Sequence, residues 1–145
     1  MRCKKILAAV DFSPLSQEAL RVAAELAAQW DSELELIHVW QPATYTIARS
    51  PAFPNHLVDD LLREAEGGLD DWKHRAEQYG AKRVTARVLT GVAWHEIVEV
   101  SREGYDLIVI GTHGRTGLKH ALLGSVAEKV VRHAPIATLV VRSAD

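Results

Sequence analysis

The chain is 145 residues long, 48% hydrophobic and 25% charged, the size and apolar content of one globular domain with a sizeable core. Lys and Arg number 17 against 19 for Asp and Glu, and the formal charge of -2 excludes a surface built throughout for nucleic acid or anionic membrane. Cys3, the single cysteine, excludes an internal disulfide and a cysteine-based metal cluster.

Near the N-terminus the longest apolar run, Ile6 to Val10, is too short for a membrane span or a secretory segment, and Asp11 follows at once. A cytoplasmic protein with no membrane partner is expected. Lys4 to Val10 lacks polar alternation, as a strand covered on both faces does. Ser13 and Pro14 then read as an N-cap and first helical residue, and Leu15, Ala19, Leu20, Ala23, Leu26, Ala27 and Trp30 trace one helical face. Glu33 to Trp40 is a second strand. Gln41 to Asn55, with Pro42, Pro51 and Pro54, is an irregular excursion.

Helical spacing returns from Leu57 to Tyr79, with seven acids against three bases and a kink or break expected at Gly67-Gly68. Val84 to Leu89 supplies a third strand, and a helix carrying Trp94, Ile97, Val98 and Ser101 ends near Gly104. Leu107 to Ile110 is a fourth, wholly apolar strand. Ser125 opens a helix through His133 that Pro135 ends, and Ala137 to Val141 is the last strand. Alternating strands and helices imply right-handed crossovers, hence a single doubly wound α/β domain over residues 1–145. It would hold a five-stranded parallel sheet with helices on both faces.

In such sheets ligands bind beyond the carboxyl ends of the strands, where the strand order reverses. The most informative segment there is GTHGRTGLKHALLGS, Gly111 to Ser125, with Gly111, Gly114, Gly117 and Gly124, the cations Arg115 and Lys119, and no acid. Close backbone approach at glycines, inward N–H groups and a following helix N-terminus together favour a polyphosphate. Neither a Walker A pattern nor a G-x-G-x-x-G after the first strand is present.

Gly111-x2-Gly114-x9-Gly124-Ser125, between the fourth strand and the last helix, resembles the nucleotide-binding signature of the universal stress protein family. KKILAAVDFS, the strand ending in HV, DLIVIGTHG and HAPIATLVVR extend the resemblance over essentially the whole chain. The resemblance implies a Rossmann-like adenine-nucleotide-binding domain, holding ATP with Mg²⁺ and forming a homodimer through the last strand, Ala137 to Val141. Carried onto this sequence, it sets Ala9, Val10 and Asp11 against base and ribose, and Val39 beside the adenine. Ile110 and Gly111 continue that wall, and His113, Gly114, Gly124, Ser125 and Val126 surround the phosphates, with Arg115 in the same loop.

Each residue has a plainer role beside this one. Asp11 suits ribose hydroxyls or a metal ion, or merely the dipole of the first helix. Ser125-x-x-Glu128 is also a capping box. His113 suits a phosphate or simply a place in the loop, and His38 reads as a core histidine. His56, His74 and His95 lack metal-site spacing, so no metal is expected except Mg²⁺ through ATP. Three functions compete: a nucleotide-responsive stress or signalling module with at most slow ATP hydrolysis, a nucleotide hydrolase or adenylyl-transferring enzyme, and a nucleotide-free dimerisation module. No catalytic residue stands out, and the protein partner is left undefined.

Overall fold

The computed structural model describes residues 2–41, 55–113 and 123–142. Five strands, β1 (Lys5–Ala9), β2 (Glu33–Trp40), β3 (Arg83–Thr90), β4 (Leu107–Gly111) and β5 (Ala137–Val141), form one parallel sheet in the order β3-β2-β1-β4-β5. Between them run α1 (Pro14–Trp30), α2 (Asn55–Gln78), α3 (Ala93–Ser101) and α4 (Ser125–His133). The chain moves outward from β1 to β2 and β3, then crosses back to β4 and β5. Strand order therefore reverses between β1 and β4, whose registers pair Ala8 with Val109 on one side and Leu36 on the other. That reversal opens a crevice at the carboxyl ends of the two strands.

Two apolar layers hold the sheet. On one face Ile6, Ala8, Leu34, Leu36 and Val109 meet Ala19, Leu20, Ala23 and Ala27 of α1 and Leu69, Trp72 and Ala76 of α2. Alanine at so many contact positions lets α1 lie close to the strands. On the other face Leu7, Ile37, Ile108 and Ile110 meet Ile97 and Val100 of α3 and Ala127 and Val130 of α4. The start of α1 is as its sequence dictates. Ser13 accepts from the Ser16 N–H at 3.2 Å, Pro14 follows, and Asp31 closes the helix in the left-handed conformation, with φ 56°.

Expectation and structure part at α2, which runs unbroken through Gly67 and Gly68. Each glycine costs about 1 kcal/mol against alanine, whereas burying a side chain such as Leu69 or Trp72 gives roughly 1.5–3 kcal/mol, so burial decides. Gly68 has a further use: a Cβ built there would lie 3.5 Å from the Phe12 ring, which the bare backbone leaves room for.

Nor are the strands apolar on both faces throughout. Where α3 stops short, Tyr105 donates to Glu35 at 2.6 Å, and Arg87 bridges Glu35 and Glu103 at 2.5 and 2.7 Å. Burial first, and then the bond to Glu35, push the Tyr105 phenol above its ordinary range. No helix among the described residues is long and apolar enough to cross a membrane.

Candidate functional site

Three strand ends build the site. After β1 the Val10 N–H donates to the Ile37 carbonyl at 2.9 Å, keeping the chain on the sheet for one more residue. Asp11 then donates its N–H to Ser16 Oγ at 2.9 Å and accepts the Ser13 N–H on Oδ1 at 3.0 Å. This is an Asx turn leading into α1, so the carboxylate serves the helix start as well as facing the crevice. Phe12, between them, has φ 66°, the left-handed region that a bulky side chain rarely occupies.

At the end of β2, His38 Nδ1 lies 2.9 Å from the Val10 carbonyl. A carbonyl only accepts, so the proton is on Nδ1. Beyond it the Gln41 side-chain carbonyl accepts from the Ala93 N–H at 3.0 Å. Val92, the N-cap of α3, has no side chain able to cap it, and a glutamine from another strand satisfies that N–H instead.

At the end of β4 and the start of α4 two glycines lie close against the chain's own atoms. A Cβ on Gly111 would lie 3.2 Å from Leu15 Cγ on α1. One on Gly124 would lie 2.8 Å from the Thr112 carbonyl oxygen and 3.3 Å from His113 Cα. The Gly124 N–H donates to that same carbonyl at 2.5 Å, and the Thr112 N–H donates to Val141 at 2.9 Å. The start of α4 is thereby fastened to the end of β4. His113 Nδ1 lies 3.1 Å from Thr112 Oγ1.

The expected capping box at Ser125 does not form. Gly124 takes the extended N-cap conformation and Ser125 becomes the first helical residue, one position too late to cap; Glu128 pairs with Arg132 instead. The exposed Ser125 hydroxyl has no hydrogen bond among the described residues, which leaves it available to a ligand.

These strand ends enclose a cavity of about 330 Å³, within the range of small-molecule sites. Ala9, Val10, Asp11 and Val39 line it from β1 and β2, Ile110, Gly111 and His113 from β4, and Gly124, Ser125 and Val126 from the start of α4. Every described residue expected from the sequence is thus brought to one cavity; Gly114 and Arg115 lie outside the described residues. The reading by residue type missed Ser16, Ile37, Gln41, Ala93, Ile97, Thr112 and Ala127, and set His38 aside. His38 has both characters: it is bonded to the core backbone and it lines the cavity. Among the described lining residues Asp11 is the one carboxylate and no Lys or Arg occurs. Fixed positive potential there comes from the N-termini of α1, α3 and α4. No cluster of three or more His, Cys, Asp or Glu suited to a metal occurs among the described residues.

Comparison with known proteins places this geometry. The model of the universal stress protein family matches residues 2–142. The chain is 39% identical over 142 residues to Universal stress protein MJ0531 of Methanocaldococcus jannaschii, covering 96% of this chain and 82% of that protein. The solved structure of MJ0577, from the same organism, superposes with a TM-score of 0.86 at 32% identity, covering 100% of this chain and 99% of the other. A universal stress protein solved in complex with cAMP shares the fold, with a TM-score of 0.76 at 24% identity over 97% of this chain and 98% of that one. The chain belongs to the universal stress protein family.

Proposed function

We propose that the crevice binds an adenine nucleotide, ATP with Mg²⁺, and that the protein is a nucleotide-responsive stress-response module acting as a homodimer. The observation that carries the reading is the convergence of the ten described candidate residues on one cavity among the N-termini of α1, α3 and α4. The donor set suits the ligand. Apolar Ala9, Ile37, Val39 and Ile110 offer a surface for a base, Asp11 an acceptor for ribose hydroxyls, and Ser125, Gly124 and His113 a phosphate-facing rim. The cAMP complex of a family member agrees with this class of ligand.

Bound ATP would bring a magnesium ion on its own phosphates. Around those phosphates this chain sets helix N-termini, with Asp11 toward the ribose. Asp11 already accepts from the Ser13 N–H, and it is not set as a dedicated base toward an attacking water. Hydrolysis is accordingly slow at most, and the module reads occupancy rather than turnover. β5 forms one edge of the sheet with Leu139 exposed on it, and Val131 exposed on neighbouring α4. A twin strand on that edge would form the dimer.

Denaturing freshly purified protein should release an adenine nucleotide. Titration of the stripped protein with ATP and Mg²⁺ should stabilise it by about 2.7 kcal/mol at a hundredfold excess over Kd. Absence of both carried nucleotide and a thermal shift would refute the reading. Sedimentation that shows only monomer at micromolar concentration would refute the dimer.

A further inference from the structure

One residue beside the cavity is out of keeping with its backbone. Among the described residues only Phe12 and Asp31 have positive φ without being glycine, and Asp31 is a helix C-cap, where that conformation is ordinary. Phe12 has no such excuse. It sits between Asp11, which lines the cavity, and Ser13, which caps α1. A strained residue persists only when its surroundings over-determine it, and here they do. The ring lies 4.5 Å from that of His38 and 5.4 Å, edge-on, from that of Trp72. Gly68 of α2 leaves room for its tip, since a Cβ there would be 3.5 Å from Phe12 Cζ. His38 in turn holds the Val10 carbonyl, so the turn is gripped on both sides of Asp11.

We propose that Phe12 is a positioning residue for this site: its ring, wedged among His38, Trp72 and Gly68, holds the left-handed turn that aims the Asp11 carboxylate. The orientation of Asp11 then depends on how α2 is seated on the sheet. Gly68 acts on the site although it does not line the cavity. A Cβ at 3.5 Å from the ring is ordinary contact, so Gly68→Ala leaves the turn in place, whereas a branched side chain displaces the ring. This rests on the proposal that Asp11 contacts a bound nucleotide, and the experiment separates the two.

The test uses the full chain as wild type, Phe12→Ala, Gly68→Leu and Gly68→Ala, each at a temperature where circular dichroism shows it folded. The first readout needs no ligand: hydrogen exchange of the Ser13 amide, which donates to Asp11 Oδ1. Exchange should speed by tenfold or more in Phe12→Ala and Gly68→Leu and stay near wild type in Gly68→Ala. The second readout is the Kd for ATP with Mg²⁺ by calorimetry, which should rise about tenfold in the same two variants. Unchanged Ser13 exchange in Phe12→Ala, or in a folded Gly68→Leu, overturns the wedge whatever happens to binding. Faster exchange with unchanged Kd overturns the link from turn to site. If wild type binds no nucleotide, the functional proposal fails, and the exchange data still decide whether Phe12 holds Asp11.

Discussion

Replacing Gly124 by alanine separates two reasons for a glycine at that place. If it is there only to let a phosphate approach, the nucleotide-free protein should ignore a methyl group and only binding should suffer. The structure makes the methyl collide with the protein itself, 2.8 Å from the Thr112 carbonyl oxygen and 3.3 Å from His113 Cα. Both are backbone atoms, so neither yields by a rotamer change. The start of α4 must withdraw from the end of β4 by roughly half an ångström, stretching the 2.5 Å bond between the Gly124 N–H and Thr112. Overpacking of this kind costs about 1–3 kcal/mol. For a domain of this length that lowers Tm by about 2–4 °C per kcal/mol. Calorimetric melting of the stripped Gly124→Ala protein should show this loss, with nucleotide affinity falling about tenfold or more. A nucleotide-free Tm equal to wild type would refute the packing argument, even if binding were abolished.

Gly67→Ala should do the opposite. Nothing lies within 4 Å of a Cβ at that position, so the change brings about 1 kcal/mol of helix propensity without a clash, readable as a higher urea midpoint at constant slope. The Lys4 and Lys5 backbone N–H groups, which donate to Asp106 Oδ2 at 2.8 and 3.0 Å, hold its carboxyl below the ordinary aspartate range. A carboxylate depressed on folding contributes stability that is full above its unfolded value near 4 and is lost as pH falls through the folded one. Wild type should therefore lose stability below about pH 4, and Asp106→Asn should flatten that part of the curve. A parallel acid limb in the variant would show that the two N–H bonds do not carry it.

The order of elements was legible because β1 and β4 are short apolar runs between helix signals, and because Ser13-Pro14 leaves little choice about where α1 begins. That a site would lie at the carboxyl ends of the strands was legible as well, but the reversal between β1 and β4 that gathers those ends came only with the fold. What could not be read are features set by distant partners. Gln41 lines the cavity because the Ala93 N–H, 52 positions away in sequence, lacks a cap. Gly68 lies against the Phe12 ring, a contact that only the packing of α2 on the sheet creates. The motif Ser125-x-x-Glu128 has the letters of a capping box, but letters do not state which residue takes the extended N-cap conformation, and the bond between Gly124 and Thr112 gives that place to Gly124.

The charge of -2 reads differently once the acids and bases are placed. Of the 19 acids, seven lie between Leu57 and Tyr79, most of them on the exposed side of α2, and none lies between Asp106 and Glu128. The described walls of the cavity contain one carboxylate and no fixed cation. Their attraction for an anion therefore comes from aligned N–H groups at the starts of α1, α3 and α4, a short-ranged field that fades beyond about one helical turn. Such walls suit a base, a ribose and the nearest phosphate. A longer polyphosphate chain must draw on charge from elsewhere, and the sequence supplies it in Arg115 and Lys119, between the two ends that Gly124 and Thr112 tie together. Were a nucleotide bound as proposed, its base and ribose would meet the fixed walls of the sheet, and its outer phosphates would depend on the cations Arg115 and Lys119 of the sequence.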